Sequence, residues 1–406
     1  MISGSRTGDT DLESVQFVVV GCGPAGGVAA REASRAGVET LVLEKDPVVG
    51  ARRVCAAGLR PAFLDEFDLP RSIVHCDPMT IAMHSPTRRH DLTFGPMHTT
   101  TREELDGTIA ELARSEGAQI RTNALFRGLR SDGKATIVEY ADASEGRRRE
   151  VRADYVFLAP GSVARLEGDP RFAYGRWEAG LVTCLQYRLY LEQPAVAQAY
   201  QTLEMHYYRG LCGRPVMGWM FPKRDHLTIG LGIGAKISGA ELRRELDSLV
   251  AAVRERLFPN VPYRLRIEGN LLYGGPPRPR IAADRVMVGG TAAGMVDATT
   301  GEGIYEAAAS GRIDAAAVAQ AARGRTSAPG RVYERAVKAG FYGRLRDRNR
   351  LMAFLERKPR RFDALFAQIA GNARFAALIQ RDRDDYSLSE WAYLYAQMIR
   401  FTLRAV

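Results

Sequence analysis

With 406 residues, the chain is long enough for two or three packed units. Its 46% hydrophobic and 26% charged content is that of a globular protein and excludes a disordered or fibrous one. Lys and Arg outnumber Asp and Glu by 57 to 47, a net charge of +10 that admits an anionic partner, while no apolar run reaches the ~18 residues of a membrane span.

The first 15 residues are polar, lack the apolar core of a signal peptide and are expected to form a loose tail. The five cysteines are scattered, without metal-ligand spacing. A reduced cytoplasmic protein with no metal site is the expectation.

The strongest segment is "VQFVVVGCGPAGGVAAREASRAGVETLVLEKD". Phe17 to Val20 is a continuously apolar, mostly β-branched run, the pattern of a buried parallel strand. Gly21, Gly23 and Gly26 form G-x-G-x-x-G, with Pro24 and Ala25 between the last two. The first glycine permits a tight turn, the second lets backbone approach a pyrophosphate, and the third lets the helix pack on the strand. The helix spans Ala25 to Arg35, and its free amides suit phosphates. "VETLVLEK" is the next strand, with Glu44 placed to bind ribose hydroxyls and Lys45 following. This segment predicts a dinucleotide site and leaves NAD and FAD open.

Beyond Glu44 the βαβ rhythm stops. A Gly- and Arg-bearing loop holds Arg52, Arg53 and Cys55, then a short helix follows. "MTIAMHSPTRRHDLTF" reads as a hairpin turning at Ser85–Arg89, and "TREELDGTIAELARSEGA" as an amphipathic helix with Leu105, Ile109 and Leu112 on one face. A hairpin meander leads to a buried strand from Tyr155 to Ala159. Alternating segments between Leu181 and Leu272 predict a large antiparallel sheet. "RVMVGGTAAGMVDATTGEGIYEAAASG" returns to a buried strand and then an almost side-chain-free run into an Ala-rich helix. Glu302 reads there as a helix N-terminal carboxylate. Basic helices follow, with "YGRLRDRNRLMAFLERKPRRFD" the most charged stretch; nucleic acid, anionic lipid or a diphosphate would each answer it, and a solvated helix face is the bland reading. No nucleic-acid-binding pattern accompanies it. "SLSE", Ser387 with Glu390, is a capping box opening a last helix.

The expected fold is mixed α/β. A discontinuous Rossmann-like nucleotide domain takes 16–75, 98–165 and 280–330, an inserted antiparallel-sheet substrate domain takes 76–97 and 166–279, and a helical C-terminal region takes 331–406.

The motifs together resemble the geranylgeranyl reductase family of FAD-dependent oxidoreductases, within the para-hydroxybenzoate hydroxylase-like flavoproteins. The resemblance rests on "VVVGCGPAGG…LEK", "GTAAGMVDATTGEGIYEAAASG", "CAAGL" around Cys55, the R-x-x-x-D start at Arg102 and Asp106, and "GWMFPKRDHLTIGLGIG". "DEFDLP" and "HSPTRR" are similar to the branch acting on chlorophyll pigments. It implies FAD, reduced by NADPH, another reductant or an electron-donor protein, delivering hydride to an isolated alkene of a prenyl chain while a proton arrives opposite. It assigns flavin contacts to Gly21, Gly23, Pro24, Ala25, Gly26, Glu44, Lys45, Arg53, Arg102, Gly290, Thr291, Gly294, Gly301, Gly303 and Ile304. Met217, Trp219, Phe221 and Pro222 would wall the prenyl chain, and Cys55, Trp219 and Phe221 would carry the chemistry. Prenyl substrates partition into lipid, so peripheral membrane contact through the basic C-terminal helices is expected.

Three positions depart from that pattern. Gly290-Thr291 replaces a Gly-Asp pair, Pro160-Gly161 replaces an Asp-Gly, and Met217 stands where a tyrosine is usual. The first two remove carboxylates from the flavin pocket. They keep open an aromatic monooxygenase or halogenase and a non-redox isoprenoid cyclase or isomerase. Against a halogenase, only one tryptophan of W-x-W-x-I-P is present, as Trp219.

Overall fold

The computed structural model describes residues 12–51, 54–93, 97–133, 135–163, 166, 169–192, 197, 199–211, 213–234, 237–358, 360–380 and 386–405. The chain opens with β1 (Ser14–Val20), α1 (Pro24–Arg35) and β2 (Thr40–Leu43), whose strands pair in parallel. Glycine makes this unit compact. A Cβ on Gly26 would stand 1.9 Å from the Gly21 carbonyl oxygen, so only glycine lets α1 begin this close to β1.

An excursion follows through β3 (Gly58–Leu59), α2 (Phe63–Glu66), β4 (Thr80–His84) and β5 (Arg89–Thr93), and β6 (His98–Thr99) pairs back with β3. The chain then regains the first sheet through α3 (Arg102–Ser115) and β7 (Gln119–Arg121). β8 (Ala124–Ser131), β9 (Thr136–Asp142) and β10 (Arg147–Leu158) form an antiparallel meander. The second half of β10 runs beside β1 in parallel.

β11 (Leu181–Leu191), β12 (Thr202–Arg209), β13 (Pro215–Pro222), β14 (His226–Gly234) and β15 (Tyr263–Tyr273) build the second sheet, in the order β15-β11-β14-β13-β12-β4-β5. Two features differ from a purely antiparallel stretch. β4 joins from far upstream and lies parallel to β12. Between β14 and β15, α4 (Gly239–Leu257) crosses the sheet, opened by a capping box of Ser238 and Glu241. Its Leu242, Leu246, Leu249 and Val250 pack on Leu227, Ile229 and Leu231 of β14.

β16 (Ala282–Ala283) and β17 (Val286–Val288) complete the first sheet beside β10. The long Ala-rich helix α5 (Ile304–Ala322) lies directly on α1, where a Cβ on Gly311 would meet the Ala25 carbonyl at 2.1 Å. Small residues are needed so late in the chain because two helix backbones touch there. α6 (Pro329–Val337), α7 (Gly343–Glu356), α8 (Arg360–Ala370), α9 (Ala373–Gln380) and α10 (Leu388–Ala405) follow. The Ser387–Glu390 capping box precedes α10 as expected. These helices are not a solvated basic appendage. Met352, Leu355, Phe362, Leu365, Phe366 and Ile369 form a shared core with Leu203, Met205 and Tyr207 of β12. The fold is thus mixed α/β, with a Rossmann-like domain, an antiparallel-rich sheet and a helical C-terminal region.

Candidate active site

A cavity of about 1080 Å³ runs between the two sheets. It is at the upper end of what one small-molecule ligand occupies, leaving room for a cofactor ring and part of a substrate. Its two halves are chemically different.

One half is made of backbone. Gly23, Pro24 and Ala25 at the start of α1 line it, as do Ala159, Pro160 and Gly161 after β10, Gly290 and Thr291 after β17, and the run Gly301 to Ile304 before α5. Neither α1 nor α5 has a side chain capping its N-terminus; both N-caps are glycines, Gly23 and Gly303. Two sets of first-turn amides and two positive dipole ends therefore border one space. Arg102 lines the same half and holds Asp106 in a bidentate pair at 2.9 and 2.6 Å. Burial opposes its charge, but the Asp106 carboxylate and the Cys55 sulfur outweigh that and raise its pKa.

The loop after β10 comes close to the turn after β17. A Cβ on Gly161 would lie 3.9 Å from the Thr291 hydroxyl. Pro160 and Thr291, both lining the cavity, bring no carboxylate to it.

The other half is made of side chains. Ile81, Met83 and Leu92 of the β4–β5 hairpin, Met205 and Tyr207 of β12, and Met217, Trp219 and Phe221 of β13 line it, with Met352, Phe362 and Phe366 closing it from α7 and α8. Tyr207 donates its hydroxyl to the Thr299 carbonyl at 2.7 Å, and burial raises its pKa. The Trp219 indole nitrogen is buried without a hydrogen-bond partner. Phe221 packs against Gly58, where a Cβ would stand 2.7 Å from the ring.

Cys55 sits where the halves meet, its sulfur accepting from the Ala57 amide at 3.3 Å. Behind it, Lys223 is buried, and its ammonium donates to the Ala56 carbonyl at 2.5 Å and lies 3.4 Å from that of Ala57. Burial lowers the Lys223 pKa to about 7, with the sulfurs of Cys55 and Cys76 pulling the other way. Burial likewise pushes the Cys184 thiol up to about 12.

The expected residues divide as follows. Gly23, Pro24, Ala25, Arg102, Gly290, Thr291, Gly301, Gly303, Ile304, Cys55, Met217, Trp219 and Phe221 all border the cavity. Gly21, Gly26 and Gly294 shape the turns behind it: Gly294 caps the turn Gly290–Ala293 at φ +77°. Glu44 is buried with its two oxygens held by the Cys22 and Asp46 amides at 2.7 and 3.0 Å. Lys45 lies 3.5 Å from Asp46. Pro222 turns its carbonyl to the Thr99 hydroxyl at 2.8 Å rather than lining the cavity. Arg53, like Arg52, lies outside the described residues.

Glu302 stands before the helix N-cap instead of in the first turn, because α5 begins only at Ile304. The first-turn carboxylate is Glu306, fully buried between Arg60 at 2.9 Å and Arg344 at 2.8 Å. Burial raises the Glu302 pKa against the pull of Arg60, with Glu306 and Asp297 adding to the rise.

Sequence reasoning missed Lys223, Tyr207 and the closing helices. The helices had a signal: Phe362, Leu365, Phe366 and Ile369 are spaced as one helical face.

Comparison with known proteins agrees with this architecture. Residues 14–166 match the FAD binding domain family. The chain is 30% identical over 321 residues to the chloroplastic geranylgeranyl diphosphate reductase of Oryza sativa, covering 75% of this chain and 66%, just under two thirds, of that one. It is 27% identical over 357 residues to the digeranylgeranylglycerophospholipid reductase of Thermoplasma acidophilum, covering 81% and 85%. A crystal structure of a geranylgeranyl bacteriochlorophyll reductase-like protein from Thermoplasma acidophilum superposes with a TM-score of 0.72 at 20% identity, over 97% of this chain and all of that one.

Proposed function

We propose that this chain, which carries an FAD binding domain and is similar to geranylgeranyl reductases, is a reductase that saturates carbon–carbon double bonds of a prenyl chain. One observation carries this reading: the backbone-lined half of the cavity opens without a break into the apolar half. The first is suited to a flavin dinucleotide, and the second to a long methyl-branched hydrocarbon chain.

The residues fit the cofactor. Uncapped amides of α1 suit its pyrophosphate, and those of α5 suit the electron-rich edge of its ring system. Arg102 adds a fixed cation, and Thr291 offers a hydroxyl to the ribityl chain. When bound, reduced FAD supplies the hydride. NADPH, another small reductant or a donor protein supplies the electrons.

The chain's own residues do three things. Met217, Trp219, Phe221 and Met205 exclude water and hold the alkene; an unpolarised double bond builds positive charge on the carbon that receives no hydride, so a dry, aromatic wall is what it needs. Cys55, at the junction, holds the proton that the alkene must take up. Lys223 sets the charge behind that sulfur through the Ala56 and Ala57 carbonyls.

The substrate is delivered from a lipid surface. No helix among the described residues is long and apolar enough to cross a membrane. α10 nevertheless exposes Leu388, Tyr395 and Ile399 along one side, with Arg400 beside them. Co-sedimentation with anionic vesicles that Ile399→Glu abolishes is the expected result.

The reaction is tested by incubating flavin-loaded protein and a reductant with geranylgeranyl diphosphate, a geranylgeranylated pigment and a digeranylgeranyl lipid. A mass gain of one H2 per double bond in any of them supports the reading. No gain in all three removes it.

A further inference from the structure

The wall of the apolar half has a back. Along β12, Leu203, Met205 and Tyr207 face the cavity, so the alternate residues Glu204 and His206 face the other side of the sheet, toward α4. On β4, Ile81 and Met83 face the cavity and His84 faces away. β4 and β12 pair in parallel with His84 opposite His206.

Three potential ligand atoms converge there. His206 Nε2 lies 3.1 Å and His84 Nε2 3.6 Å from the same Glu204 oxygen, Oε2, and all three ligand atoms lie within 4.8 Å of one another. The imidazoles stack with centroids 4.2 Å apart and 11° between planes. Glu204 is 1% exposed, and the His84 Nε2 is buried with no hydrogen-bond partner. Zinc bonds to nitrogen and oxygen are about 2.0–2.1 Å, which puts neighbouring ligands of a tetrahedral ion roughly 3.3 Å apart. The two separations from Glu204 bracket that value, and one of the stacked rings turns out of its near-parallel plane for both nitrogens to reach one ion.

We propose that His84, Glu204 and His206 form a binding site for a divalent transition cation of the zinc class. Two imidazoles and a carboxylate are the ligand set, and water fills the fourth position. The ion sits on the sheet face opposite the cavity and takes no part in the reaction. It clamps β4 to β12, the two strands that carry Met83 and Met205.

Arg256, in the last turn of α4, now neutralises Glu204 at 2.5 Å. Its side chain is 32% exposed, so it has solvent to swing into when an ion enters. It is the competitor of the metal. The site escapes spacing rules because its ligands come from strands far apart in the chain.

The test uses untagged, flavin-loaded protein stripped with chelator, then dialysed against zinc, with metal content and thermal unfolding measured. One zinc per chain and a raised Tm are expected. His84→Ala and His206→Ala should each weaken binding by roughly 100-fold, while His90→Ala leaves it unchanged. Arg256→Ala should tighten it about tenfold. Bound flavin absorbance reports that each variant is folded. No zinc in the parent protein, or zinc retained by both single histidine variants, overturns the proposal. So does Arg256→Ala binding no tighter, which would make the cluster an ion-pair network and nothing more.

Discussion

The two halves of the cavity are built by opposite means. The backbone-lined half depends on what is missing: Gly23, Gly290, Gly301 and Gly303 present amides and free space, and few side chains intrude. The apolar half depends on what is present: Met217, Trp219, Phe221, Phe362 and Phe366 fill and close it. The first is intolerant of added atoms and the second of lost ones. A substitution should therefore betray which half it touches by whether flavin or hydrocarbon binding fails first.

The largest effect is expected from Gly26→Val. A Cβ there meets a backbone oxygen at 1.9 Å, so strand and helix must part. A loss of roughly 3 kcal/mol or more and of stoichiometric flavin follows, read from the visible spectrum. A variant that kept its flavin would show that the cradle tolerates bulk.

Phe366→Ala breaks the other half. The ring is 3% exposed and borders open cavity on one side, so about 3 kcal/mol is expected, the low end for such a truncation. Flavin content should stay at the parental ratio while KM for a prenyl substrate rises. If flavin were lost with it, the halves would not be separable.

Lys223→Met probes the seam. The buried ammonium has its folded pKa near 7, below the unfolded value near 10.4, so the unfolded chain binds more protons between them. Its burial cost is complete below pH ~7 and disappears as the pH rises to ~10. The parent should thus gain stability relative to Lys223→Met across that window, measured by denaturant unfolding at each pH. Parallel curves would mean that Lys223 titrates normally.

Thr291→Asp is the smallest and sharpest. It places a carboxylate beside Gly161. A charged acceptor is worth about 1 kcal/mol more than a hydroxyl, so FAD should bind roughly fivefold tighter. Weaker binding would mean that this position faces something other than the ribityl hydroxyls.

The backbone half was legible because its signals are local. Gly21, Gly23 and Gly26 fall within one turn, and Thr101, whose hydroxyl accepts from the Glu104 amide, opens α3 next to Arg102. The apolar half was only partly legible. The family resemblance pointed to Met217, Trp219 and Phe221 on β13, but nothing local says that β4 lies against β12. α4 was overlooked inside a stretch read as strands, although Ser238 and Glu241 announced it. Glu44 ends β2 at the expected distance along the chain, and what the sequence did not show is that the Cys22 and Asp46 amides hold its two oxygens. Lys223 was invisible because its meaning depends on burial, which a sequence records only indirectly.

The far wall of the cavity comes from α7 and α8, late in the chain and remote from the nucleotide motif. Depth and chemistry are therefore set by different stretches of sequence. A bulkier side chain at Phe362, Phe366 or Met352 would shorten the space like a stop on a ruler, and a smaller one would lengthen it. On the proposed function, the length of hydrocarbon accepted can drift through these helices while the backbone-lined half stays untouched.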